Sequence, residues 1–442
     1  MGTGVRRLTL TFAMLLALLA SGPASATLTI QITGGATGAM PIAVVPFGWQ
    51  GKGAKAPVDV SRVVRDDLAR SGYFAPIGKS QLPARPTHAS DVKFQQWRNA
   101  GVDTLVIGRI KQTAGNKYEL RFHVFDALRG KQITAYQIPV DRGHLRHAAH
   151  HVSDLIYEKL TGKPGAFETR IAYISVKHQN GGKVYRLMVA DADGYDPRAA
   201  VTTSEPILSP AWSPDGRKLA YVQFVHNRPR IYVQNIATGK RRVVSKHKGL
   251  NGAPAWSPDG KKLAITLSPQ GNADIYILNL KSGKLTQVTH DPGIDTEPSW
   301  SPDGKKLAFT SDRGGSPQVY EMILANHSVQ RLTFENAYNA SPHWSPDGKS
   351  IALVTEQGGK FDIGVVNVKT GSLRVLSDGP MDESPSFAPN GSMIMYASND
   401  EGRGVLATVS FDGGARQRLS GQNEDVQEPA WGPYSASERQ QQ

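Results

Sequence analysis

Three groups of carboxylates stand in related places along the second half of the chain: Asp295 with Glu297, Asp382 with Glu383, and Asp425 with Glu428. Two acids held close together can act as general acid and base at a glycosidic bond. A second set, His144, His147 and His151 with Asp154 and Glu158, has the spacing of one helix face, and imidazole with carboxylate ligates divalent ions. Solvation is the simpler reading of that face. The carboxylates fall at different offsets from the next aromatic residue, and no His or Tyr recurs beside them. No Gly-x-Ser-x-Gly elbow occurs. The absence of cysteine removes thiol catalysis, disulfides and cysteine metal sites together. No cofactor or metal is expected, and these residues read as the polar part of a binding surface. The alternative is an exported propeller enzyme, glycosidase- or lyase-like, working with the same carboxylates.

What must position these groups is a repeat. Trp212-Ser213-Pro214-Asp215-Gly216 returns at Trp256, Trp300 and Trp344 in steps of 44 residues. Eroded copies follow at Phe387-Ala388-Pro389-Asn390-Gly391 and Trp431-Gly432-Pro433. Five of the seven tryptophans fall inside this signal, too many for chance. Ser-Pro-Asp-Gly is hairpin chemistry: proline pre-sets φ, Asp suits the next position, and Gly takes the left-handed one. A second strand alternates large and small residues, as in Leu263-Ala264-Ile265; a third and fourth follow around a Thr-Gly or Ser-Gly turn. Four short strands in about 44 residues make one propeller blade.

First strands occur six times, the last at Glu428 to Gly432, and second strands also six times, the first at Ile171 to Ile174. The unpaired first strand at the C-terminal end therefore completes the blade begun at Arg170. The expectation is a closed six-bladed β-propeller over 170–434, with no free sheet edge. In each blade the innermost strand runs toward the hairpin, so residues three or four before the aromatic stand at one rim of the central channel. Around the ring these are Ser209, Ala253, Glu297, Ser341, Ser384 and Glu428, with Asn251, Thr296, Asn339 and Glu383 beside them. Small side chains leave room for a partner's projecting element, and carboxylates offer charge-assisted hydrogen bonds. The plainer alternative is that Glu-Pro merely begins a strand.

Before the ring, residues 1–26 read as a secretory signal peptide, with Arg6 and Arg7, an apolar run over 8–20, and cleavage after Ala26. The Arg pair leaves twin-arginine export open beside the general route. No later stretch is long and apolar enough to span a bilayer. The formal charge is +13, two units of it on Arg6 and Arg7. Outside the cytoplasm such a balance favours anionic envelope polymers or acidic proteins over nucleic acid. Residues 27–40 read as an N-terminal arm in which Leu28, Ile30 and Ile32 alternate as a strand does, followed by flexible Gly34-Gly35. Residues 41–162 read as a small α/β domain: a strand at Ile42 to Pro46, a helix capped by Asp59, a helix at 91–100, three strands, and a helix ending near Gly162. A linker at 163–169 and a polar tail at 435–442 complete the chain.

Signal peptide, α/β domain and Trp-Ser-Pro-Asp-Gly blades in this order resemble the TolB family, periplasmic proteins of the Tol–Pal system in Gram-negative bacteria. The resemblance covers nearly the whole mature chain. Its more specific stretches are Ile42-Ala43-Val44-Val45-Pro46-Phe47, Glu158-Lys159-Leu160-Thr161-Gly162, Asn251-Gly252-Ala253-Pro254-Ala255, Thr296-Glu297-Pro298 and Leu307-Ala308-Phe309-Thr310-Ser311-Asp312. It implies a non-enzymatic, monomeric adaptor that binds the lipoprotein Pal through the propeller and TolA through the N-terminal segment. Such an adaptor maintains outer-membrane integrity, supports constriction at division, and is exploited by some bacteriocins. Carried onto this chain, the family's Pal contacts fall on Asn251, Gly252, Ala253, Thr296 and Glu297, and the rim positions extend the expected Pal surface to Asn339, Ala340, Glu383, Ser384 and Glu428. The TolA segment would comprise Leu28, Ile30 and Ile32.

Overall fold

The structure, a computed structural model, describes residues 28–34, 38–179, 181–421 and 424–434. The expected signal peptide and polar tail lie outside these residues.

Each repeat folds as a four-stranded antiparallel sheet, and six such sheets form a ring. Blade 1 combines Arg170–Gln179, Gly182–Asp191 and Arg198–Thr203 with the last strand of the chain, Asp425–Trp431. Blades 2 to 6 begin at Ile207–Trp212, Asn251–Trp256, Asp295–Trp300, Asn339–Trp344 and Glu383–Phe387. The closing strand starts earlier than the sequence suggests. A register shift between Gln427 and Ala430 lets pairing continue on both sides of Pro429. Sheet edges do remain, contrary to expectation: closure joins the ends of the ring, while among the described residues the fourth strands of blades 1 to 5 carry no further strand on their outer side.

The repeat residues hold blade to blade. The Trp256 indole N–H donates to the Ala211 carbonyl at 3.1 Å, Trp300 to Ala255 at 3.1 Å, and Trp212 to Ala430 at 3.2 Å. Ala220 and Val222 of blade 2 share one buried cluster with Trp256, Leu263 and Ile265 of blade 3, as the alternation of bulk and room requires. In the hairpins, Ser257 Oγ donates to Asp259 and accepts from Lys262 N, while Gly260 sits at φ 67°. A methyl group on Gly260 would lie 3.7 Å from Pro214, so each hairpin glycine fits against the proline of the preceding blade.

The N-terminal domain is a mixed sheet, with Phe74–Pro76, Met40–Val44 and Thr104–Ala114 parallel and Lys117–Asp126 and Lys131–Asp141 antiparallel. The helices Val60–Arg70 and Leu145–Thr161 bury Val64, Leu68, Val152 and Ile156 against one face of it. Asp59 caps the first helix by accepting from Arg62 N, and Gly162 ends the last at φ 72°.

Trp256 is 8% exposed, so Trp256→Ala should destabilise the protein by about 3–5 kcal/mol in denaturant unfolding. Truncation before Asp425 should abolish cooperative melting by opening blade 1; a truncated chain that melts like the full one contradicts the closure.

The channel mouth as candidate functional site

All six rim positions come together at one end of the central channel, and they share an unusual backbone. Ser209, Ala253, Glu297, Ser341, Ser384 and Glu428 have φ between 45° and 56°. Each lies where the first strand breaks register with the second, and each precedes a proline. Left-handed conformation is disfavoured for non-glycine residues, and the following proline restricts them further. Such residues cost of order 1–3 kcal/mol each and persist where surroundings over-determine them. The signal was present in the sequence as an X-Pro dipeptide recurring in all six blades.

Rim acids supply part of that determination. Glu297 accepts from Ser341 N and Ser341 Oγ, both at 2.9 Å, and from Thr310 Oγ1 at 2.7 Å. Glu428 accepts from Ser209 N. Each carboxylate thus ties its own blade to the rim residue of the next. Glu428 is desolvated inside the channel, and despite that hydrogen bond its carboxyl is pushed up to about 7, with Glu383 and Glu297 adding repulsion. Glu383 is the exposed rim acid; partial desolvation and then the charge of Glu297 raise its pKa.

The neighbouring positions divide into buried and accessible. Asn251 and Asn339 are fully buried, the first bonded to Ser245, His247 and Gly249, the second to Gln318 and Glu335. Ala340 is buried as well. These residues shape the connections that enter the first strands. Gly252, Ala253, Thr296 and Ser384 are partly open to solvent. Of the acids that suggested catalysis, Asp295 is buried against the Arg313 guanidinium at 2.8 and 2.9 Å, and Asp382 is buried beside Ser398. What the sequence reading missed is a set of exposed apolar residues on the same connections: Leu250, Ile294, Phe334 and Met381, 41%, 51%, 70% and 49% exposed. Three of the four stand three residues before a rim position, a periodicity hidden by their different identities. Behind the mouth the channel has a volume of about 430 Å³ and is walled by the six prolines that follow the rim residues.

Leu28–Gly34 pairs antiparallel with Arg416–Gly421, adding a fifth strand to blade 6, with Leu28, Ile30 and Ile32 opposite Gly421, Leu419 and Gln417. The expected arm is therefore docked as an edge strand. The N-terminal domain meets the same blade, where Gln417 Nε2 donates to the Arg70 carbonyl at 2.5 Å. His144, His147 and His151 do not converge on a shared point: the first two rings lie 6.2 Å apart, tilted at 44°, and His151 lies 3.2 Å from Glu168. The histidine brought into a charged cluster is instead His150, between Asp67 and Asp193 with Arg70 and Arg146 alongside. Burial disfavours the imidazolium, but the Asp67 and Asp193 carboxylates outweigh it and raise the His150 pKa. Arg70 and Ser153 already bond the Asp67 oxygens, so the cluster reads as an ionic seam between domain and propeller.

A carboxyl raised in the folded state, from 4.5 to about 7, binds its proton more tightly than in the unfolded chain. Its influence leaves stability highest below about pH 4.5 and removes it as pH rises through about 7. Glu428→Gln should therefore melt higher than wild type at neutral pH and lose that advantage under acid; parallel melting curves across this window would count against the shift.

Two family profiles match the chain, the TolB amino-terminal domain over residues 28–133 and the TolB beta propeller domain over 157–435. The Tol-Pal system protein TolB of Thioalkalivibrio sulfidiphilus is 60% identical over 95% of this chain and 97% of its own length. That of Methylococcus capsulatus is 61% identical over 95% and 97%. The crystal structure of TolB from Acinetobacter baumannii, 41% identical, superposes with a TM-score of 0.86 over 92% of this chain and all of that one. An α/β domain ahead of six blades, four of them with the full Trp-Ser-Pro-Asp-Gly motif, matched along almost its whole length, places the chain in the TolB family of Tol–Pal system proteins.

Proposed function

We propose that the protein is a non-enzymatic periplasmic adaptor that docks the lipoprotein Pal at the channel mouth and engages TolA through its N-terminal strand. The observation that carries this reading is the mouth itself: four exposed apolar side chains around an indented, acidic rim on rigid strands. Soluble proteins rarely leave such residues grouped unless a partner covers them. A projecting element of Pal would enter among the small side chains of Gly252, Ala253 and Ser384, its apolar flanks against Leu250, Ile294 and Met381. Glu383, being exposed, is the acid best placed to meet a basic group or a backbone N–H. Glu297 and Glu428 act by holding the rim.

In this reading the protein is exported with cleavage after Ala26, works as a monomer, and links TolA to Pal in maintaining the outer membrane and constricting the envelope at division. Bacteriocins would exploit the same surfaces. The strand Leu28–Gly34 suits TolA because an edge strand bonded to a single neighbour can leave it and add to a partner's sheet. Acid–base catalysis is disfavoured, since Asp295 and Asp382 are buried and paired and Glu297 is committed to Ser341 and Thr310.

Calorimetric titration with soluble Pal tests the mouth. Ala253 sits at φ 45°, so a bulky residue there would stress the backbone as well as obstruct docking. Leu250→Asp with Ile294→Asp is the cleaner variant, because both side chains are already exposed. It should fold normally and lose at least about tenfold in Pal affinity; undiminished binding moves the site elsewhere. For the arm, deletion of residues 27–38 should abolish TolA capture and leave Pal affinity intact, and retained TolA capture would refute the assignment.

A further inference from the structure

The hairpin side of the propeller, away from the mouth, carries a different kind of surface. Between blades 2 and 3 a groove of about 870 Å³ is bordered by Lys218, Lys240, Arg241, Arg242, Lys261 and Lys281, all exposed. None of the six has a carboxylate within ion-pair distance among the described residues. Asp215 and Asp259, which feel the charges of Lys218 and Lys261, are tied into their hairpins by Ser213 and Ser257. The floor is apolar, formed by Val233, Leu280 and the edge of Trp256. The Arg241 guanidinium turns to the other face of blade 2, onto Tyr221 and Gln223, while Arg242 donates to the Leu280 carbonyl across the groove at 2.9 Å.

This is not a general property of the blades. Lys306, the counterpart of Lys218 two repeats on, is neutralised by Glu321 at 2.9 Å, and Glu321 stands where blade 2 has Val233. The groove also runs beside an open edge. Arg241–Ser245 is the outermost strand of blade 2, with no strand among the described residues paired to its outer side, and Val243 is 36% exposed there. The equivalent strand of blade 6, Arg416–Gly421, already carries an added antiparallel strand from this chain. The fold therefore accepts a fifth strand at this edge when the side chains suit.

We propose that the outer edge of blade 2 binds an acidic, extended peptide segment of a partner protein. The segment adds as a fifth strand on Arg241–Ser245, its alternate carboxylates over the lysine and arginine border of the groove and its intervening apolar residues on the opposite face of the blade. Backbone pairing supplies register, and the uncompensated cations supply the choice of sequence. The surface is separate from the channel mouth and does not rest on the reading given to it.

The probe is a fluorescent peptide of alternating Glu and Val, titrated against the full mature chain by anisotropy. Three companions run beside it: the same peptide with Lys for Glu, one N-methylated at alternate backbone nitrogens, and vesicles containing phosphatidylglycerol. Saturable binding of the acidic peptide alone is expected, weakened at least about tenfold by raising salt until screening acts within a few ångströms. Lys240→Glu with Lys261→Glu and Lys281→Glu, confirmed folded by its melting curve, should weaken it by a similar factor. Leu250→Asp at the mouth should leave it unchanged. Equal binding of the Lys or N-methylated peptide, or vesicle binding without peptide binding, overturns the proposal; these arms use the unaltered protein and do not depend on any variant folding. Equal binding to the folded triple variant overturns it as well.

Discussion

The rest of the structure depends on the seal between neighbouring blades. A four-stranded sheet of this size cannot bury both faces alone, so each blade is stable only with its neighbours in place. Three kinds of contact make the seal. Large and small side chains interleave in the sheets, the indoles of blades 2, 3 and 4 bond a carbonyl of the blade before, and each hairpin glycine fits a preceding proline. Blade 1 would be the weak joint, because two ends of the repeat meet there. Pairing Asp425–Trp431 with Arg170–Gln179 makes that joint resemble the others.

Such a ring is rigid enough to hold six residues in a backbone conformation they would otherwise avoid. The left-handed residue before each proline turns the first strand sharply where it reaches the channel, and this indents the mouth. Glu297 and Glu428 have a structural task that their exposed neighbour Glu383 lacks, since each bonds the rim residue of the next blade. The mouth and the blade seal are thus partly the same set of bonds. A partner seated there would touch groups that also join blades, a physical route by which occupancy at the mouth is felt around the ring.

Much of this was legible in the sequence, for identifiable reasons. The 44-residue period fixed blade number, closure and the rim positions, because repetition turns a local pattern into a global one. The helix from Leu145 to Thr161 was readable from its apolar face, and its end from Gly162. Other features depend on what distant segments bring. Asn251 and Asn339 looked like surface amides until the connections folded over them. Leu250, Ile294, Phe334 and Met381 have no common identity, so only their shared exposure reveals the apolar rim. His150 gives no signal beside His144, His147 and His151, because its partner Asp193 lies on the propeller. The docking of Leu28–Gly34 on blade 6 could be stated only as one of two states, since an alternating strand does not name its neighbour.

Two surfaces of opposite character follow: an acidic, apolar-rimmed mouth on one side and basic inter-blade ground on the other. The central claim, that the mouth is where the protein meets Pal, is tested most directly by amide hydrogen exchange with and without soluble Pal. The account predicts new protection confined to the connections at 250–253, 294–297 and 381–384, with the hairpins at 213–216 and 257–260 unchanged. Protection on the hairpin side, with the mouth exchanging as in the free protein, would contradict it.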